Sequence, residues 1–174
     1  MKTLRQTFTR WLALAGLLLA MAGCATGQSA KLVNHSFNFD GWKDGWQKTA
    51  QLIEYSYGDQ DASVRRKAPE GDFLGYQSDV TGPMPVGEFL NVRWRMKATG
   101  DVVEQRVDLR GRLPANMANH ALTFVIEDRQ LYVFVVTPRE LPTGAERSPA
   151  KTWRGKYNLV YEVYPTLAGY PGGQ

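Results

Sequence analysis

The chain is short of most residues that make chemistry. Among its 174 residues there is one cysteine, Cys24, and there are two histidines, His35 and His120. A single cysteine excludes an internal disulfide, so stability must come from a buried core. Neither histidine has a metal-ligand spacing around it; no His-x-His pair or HExxH motif occurs. There is no Gly-x-Ser-x-Gly elbow, no phosphate loop and no dinucleotide fingerprint. Carboxylates that stand close together, such as Asp59 with Asp61 and Glu127 with Asp128, fall in turn sequences, where backbone reasons favour them. Asp40 and Asp44 with their glycines hint at a calcium loop, but the spacing is not that of an EF-hand. The expectation is a protein that is not an enzyme and carries no metal.

Long apolar runs are also missing. The longest, Trp11–Ala22, has twelve apolar or small residues, too few for the roughly 20 that cross a bilayer. It follows three cations, Lys2, Arg5 and Arg10, which is the layout of a signal peptide. The run closes on Met21-Ala22-Gly23-Cys24, which resembles the bacterial lipobox, with methionine in the place usually held by leucine. The resemblance implies that Cys24 is lipidated, palmitate among its acyl chains, and that residues 1–23 are removed as a signal peptide. An ordinary secreted protein with a stray cysteine is the competing reading. Several acyl chains hold a protein to a membrane stably where one does so only marginally. With Ala25 rather than aspartate after the cysteine, the sorting rule of such lipoproteins implies the outer membrane, periplasmic face. The lipid on Cys24 is the sole group expected on the chain; no cofactor is.

Losing the signal also changes the charge. Three of the 21 basic residues leave with it, and 18 remain against 17 acidic ones. A net charge near +1 gives no support to nucleic-acid binding. Residues 24–31 read as a small, polar tether. The segment 32–165 is long enough for one ordinary domain, and 166–174 reads as a flexible tail.

Within that domain the periodicity is two. A first strand is predicted over 32–39 and a second over 52–57, the latter with Ile53, Tyr55 and Tyr57 on one face. Residues 58–87 are rich in Gly, Pro, Asp and Ser, with a basic triplet Arg65-Arg66-Lys67, and predict one or two short edge strands. Residues 89–109 read as a hairpin turning at Thr99-Gly100, which would pair Met96 with Val103, Val92 with Val107 and Leu90 with Leu109. On its other face Arg95 would meet Glu104, Asn91 would meet Asp108, and Arg93 would meet Arg106. The connection 110–120 has room for one helical turn. A second hairpin turns at Asp128-Arg129 and sets Leu122, Phe124 and Ile126 opposite Val135, Val133 and Leu131. Its other face, with Val125, Tyr132, Phe134 and Val136, is apolar too, which places it in the middle of a sheet. A loop over 138–155 leads to a last strand, 156–164, with Tyr157, Leu159, Tyr161 and Val163 on one face. No helical periodicity follows residue 24. The fold class is all-β, an antiparallel β-sandwich or open barrel of about six to eight strands.

The candidate binding residues are few. Trp42 and Trp46 lie in a repeated Asp-Gly-Trp unit and Trp153 in the long loop, positions from which tryptophan can stack on sugars or anchor an interface. The opposing expectation is that Trp42 and Trp46 cap the core. Arg93 and Arg95 sit with Lys97, Arg106 and Arg110 on what is either a basic stripe or a solvated face balanced by Glu104 and Asp108. The segments Leu90–Arg95, Val107–Leu109, Arg112–Pro114 and Leu131–Val133 resemble small proteobacterial β-rich lipoproteins, some of them of immunity-protein type. This implies a membrane-tethered domain that binds a periplasmic protein, such as a secreted toxin, and assigns no binding residue. The alternatives are a glycan- or peptidoglycan-contacting module using Trp42, Trp46 and Trp153, and a structural subunit of an envelope assembly.

Overall fold

In the computed structural model, residues 31–142 and 151–166 are described; Cys24, the signal segment, the tether before Lys31, residues 143–150 of the predicted 138–155 loop and most of the tail lie outside them. Nine strands occur among the described residues: β1 (Leu32–Asp40), β2 (Ala50–Tyr57), β3 (Arg65–Lys67), β4 (Gln77–Pro85), β5 (Phe89–Met96), β6 (Val102–Asp108), β7 (Ala121–Glu127), β8 (Gln130–Glu140) and β9 (Asn158–Tyr164). They form two sheets, β4-β1-β7-β8-β9 and β3-β2-β5-β6, which is a β-sandwich-like arrangement and not a closed barrel. All pairings are antiparallel except one. β1 runs parallel to β7, with Ser36 beside Ala121 and Phe37 beside Leu122, a long-range contact that hairpin reading does not reach.

The core is built where alternating apolar residues of the two sheets face each other. Phe37 of β1 stacks on Tyr57 of β2 at 5.4 Å, and Phe39 meets Tyr55 edge-on at 5.2 Å. Phe124 of β7 packs on Phe39 at 4.6 Å. Trp94 of β5 is 0 % exposed, and its Nε1–H donates to the Asp128 carbonyl at 3.0 Å, tying one sheet to a hairpin of the other. The β7–β8 pairing is the one expected: Leu122 opposes Val135, Phe124 opposes Val133 and Ile126 opposes Leu131. Asp128 takes a positive φ of 51° at the turn, as a two-residue hairpin connection requires. Val125 and Phe134 on the outward face are buried as well, and β7 and β8 do occupy central positions in the five-stranded sheet.

Elsewhere the structure corrects the sequence reading. The β5–β6 hairpin is shifted by two residues: Trp94 opposes Val103, Leu90 opposes Val107, Arg93 opposes Glu104 and Arg95 opposes Val102. Its loop is longer than two residues. The Gly100 N–H donates to the Met96 carbonyl at 2.8 Å, with Gly100 at φ 78°. A two-residue shift keeps every side chain on its own face, so the buried set survives while the partners change, and Arg93 does not meet Arg106. In β2 a bulge between Leu52 and Glu54 displaces Ile53, so Leu52, Tyr55 and Tyr57 fill the core. Irregularities in the β8–β9 register likewise leave Val160 and Val163, three apart, as the buried residues of β9, and Tyr157 precedes the strand. The segment 110–120 forms turns rather than a helical turn. β4 is nine residues long, more than a short edge; its exposed, proline-containing sequence suits an edge strand but carries no apolar alternation to read. β3, all charged and three residues long, blunts the opposite edge of the other sheet.

Candidate recognition surface

The two Asp-Gly-Trp units have opposite fates. The Asp40 Oδ1 accepts the N–H groups of Trp42 (3.1 Å) and Lys43 (3.0 Å), capping a single helical turn, Gly41–Asp44. Gln77 donates to Asp40 Oδ2 at 2.8 Å. Burial alone would raise the Asp40 pKa, but these bonds and the Lys43 charge outweigh it and hold the carboxyl below its ordinary value. The turn ends at Gly45, whose φ of 84° redirects the chain inward. Trp46 then enters the core, 2 % exposed, stacked near Phe124 and Phe39. Its ring lies so close to Gly41 that a Cβ there would come within 2.7 Å of it. Trp46 is therefore core, and the expectation that it binds a partner directly fails for want of accessible surface.

Trp42 points the other way, 60 % exposed. It meets Tyr76 edge-on at 5.5 Å, and Phe73, 45 % exposed, packs against the same ring at 6.1 Å. The Gly41 N–H donates to the Tyr76 carbonyl at 2.7 Å and the Leu74 N–H to the Leu52 carbonyl at 2.7 Å, which fastens the segment carrying Phe73 and Tyr76 to the sandwich. β1 spans about 26 Å from Leu32 to Asp40, at about 3.3 Å per residue, so this aromatic patch stands at the opposite end of the strand from the point where the chain enters the domain.

Trp153 lies half-buried beside it. Its backbone N–H donates to Asp44 Oδ1 at 2.7 Å, across 109 residues of sequence, and holds the short helical turn Trp153–Lys156 against the Gly41–Asp44 turn. Burial pushes the Asp44 pKa up to about 6, against the opposing pull of the Trp153 N–H, Thr152 and the Arg154 charge. The same segment is held further along, where Lys151 pairs with Glu127 and sits over the Tyr132 ring at 4.2 Å. An open cleft of about 380 Å³ lies between the Gly45–Thr49 stretch, the β7–β8 turn and Lys151.

Arg93 stands in a row of alternating charge, not a basic stripe, and Arg95 lies between Gln51 and Val102. Lys67, Glu54, Arg93 and Glu104 stand in register across all four strands of their sheet, so signs alternate and Arg93 lies between two glutamates. Arg110 is engaged by Asp108 at 2.6 Å. Such a balanced, partly exposed row contributes little to stability. His35 is buried, with Nδ1 2.8 Å from the Val33 carbonyl and Nε2 3.1 Å from the Tyr57 hydroxyl, and burial lowers its pKa. Among the described residues no group of three or more His, Cys, Asp or Glu side chains is placed to hold a metal ion.

Sequence reasoning missed Phe73 and Tyr76 as members of this surface. The only local signal was the short apolar patch 73–76 in an otherwise polar stretch. No protein-family model matches this chain, and no curated protein or solved structure compared with it matches either.

Proposed function

We propose that this chain is a non-catalytic recognition protein, lipidated at Cys24, held at the periplasmic face of the outer membrane, and binding a protein partner through the Trp42 end of its β-sandwich. Its narrower form is an immunity-type protein whose partner is a secreted toxin. One observation carries the reading: exposed Trp42 and Phe73, both packed on the half-buried Tyr76 ring, stand at the end of β1 away from Leu32. A tether leading into Leu32 would present that end toward the periplasm. Exposed aromatic rings held by a rigid scaffold are the side chains that dominate protein interfaces.

The test is photo-crosslinking in cells, with a photoreactive amino acid at position 42, at 73, or at 104 on the balanced sheet face. A discrete protein adduct from 42 and 73 but not from 104 supports the reading. Adducts of equal strength from all three positions, or none from 42 and 73, overturn it. Fatty-acid labelling of the wild type and of Cys24→Ser tests the anchor separately.

A further inference from the structure

We infer that the Trp42 surface continues onto Trp153 and Tyr157, and that this longer stripe takes an acidic, apolar segment of a protein partner. The inference rests on the recognition reading above and narrows it to a partner chemistry. Lys43 makes the connection. It follows Trp42 in the chain, and its ammonium lies 4.1 Å from the centre of the Trp153 ring. Trp153 in turn meets Tyr157 edge-on at 5.8 Å. The stripe from Phe73 to Tyr157 thus holds Trp42, Phe73 and Tyr157, three of the five exposed large hydrophobic side chains among the described residues.

Cations lie over its rings. Lys97 sits over the Tyr76 ring at 5.5 Å and donates to the Gln47 carbonyl at 2.6 Å. Lys43 lies over Trp153, as does Arg154 at 4.9 Å. Of the carboxylates nearby, Asp40 is buried, accepts from the Trp42 and Lys43 backbone N–H groups and from Gln77, and pairs with the Lys43 ammonium at 3.7 Å; Asp44 accepts from the Trp153 backbone N–H, and Asp72 accepts the Phe73 N–H while staying exposed. Cations stacked on rings are partly ordered before a partner arrives, which lowers the entropy cost of using them. Tyr76 and Trp153 already carry a cation, which leaves a sugar ring less open aromatic face to stack on. A segment with apolar side chains for the rings and carboxylates for Lys43 and Lys97 matches both features.

The experiment probes the purified full-length protein in detergent with an array of short synthetic peptides of four kinds: aromatic with acidic, basic or neutral residues, and acidic without aromatics. Purified peptidoglycan sacculi serve as a separate probe. The expected result is binding to the acidic-aromatic class at least about tenfold above the basic-aromatic class. The preference should weaken in Lys43→Gln/Lys97→Gln, reverse toward basic peptides in Lys43→Glu/Lys97→Glu, and vanish for all classes in Trp42→Ala/Tyr157→Ala. Aromatic peptides bound equally whatever their charge, or a preference unchanged in the charge variants, overturn the acidic-partner inference while leaving the recognition reading standing. Trp42-dependent retention on sacculi with no peptide bound overturns both.

Discussion

Replacing Asp44 with asparagine should stabilise the protein at neutral pH, although it removes a charge that accepts a hydrogen bond. The Asp44 carboxyl is desolvated where the Trp153–Lys156 turn meets the Gly41–Asp44 turn, and its pKa of about 6 stands above the ordinary 3.8. Because the folded pKa is the higher one, the folded state binds more protons than the unfolded state between about pH 4 and pH 6. Stability contributed by this group is therefore present in acid and is lost as pH rises through about 6. A shift of about two units corresponds to about 3 kcal/mol at 1.4 kcal/mol per unit; the carboxyl retains some solvent access, which reduces this to about 2 kcal/mol. Asparagine keeps an oxygen for the Trp153 N–H and cannot ionise. Urea unfolding followed by tryptophan fluorescence, on wild type and Asp44→Asn between about pH 4 and pH 8, measures the difference. The variant should gain about 2 kcal/mol near pH 7.5 and almost nothing near pH 4. Subtracting one curve from the other removes His35, Asp40 and Asp108, whose lowered pKa values give the opposite pH trend in both proteins. If Asp44→Asn is instead less stable than wild type at pH 7.5, the carboxylate is held mainly by Arg154 and the argument from burial is wrong.

Three further outcomes follow from the packing. Trp46→Ala should cost about 3–5 kcal/mol, while Trp42→Ala leaves the melting temperature within about 2 °C; equal losses in calorimetry contradict the opposite placement of the two rings. Trp94→Ala should cost about 3–5 kcal/mol, because it empties a core site and leaves the Asp128 carbonyl without its donor. Arg95→Ala, half-buried on the outer face opposite Val102, should cost under about 1 kcal/mol in the same urea titration. Gly41→Ala should destabilise by at least about 1 kcal/mol, since its methyl would press on the Trp46 ring; an unchanged midpoint would show that the ring can move aside.

The all-β class and the β7–β8 hairpin were legible because they are local. Apolar alternation sets the period, and two residues at Asp128-Arg129 leave the strands a single register. The β5–β6 hairpin shows where local reading stops. Its buried face was correct, but the cross-strand partners depended on a loop whose geometry alternation does not encode. Other features joined positions far apart in the chain: the parallel β1–β7 contact, the pairing of β1 with β4, and the meeting of Asp44 with Trp153. Trp42 and Trp46 make the distinction sharpest. Each follows Asp-Gly, so local sequence cannot tell them apart. Which ring is buried is decided by Gly41, whose missing Cβ admits the Trp46 ring, and by Phe124, which arrives from β7 to stack on it. Trp42, on the other side of the same turn, meets Tyr76 edge-on and stays 60 % exposed, because no strand among the described residues passes over it to bury the ring.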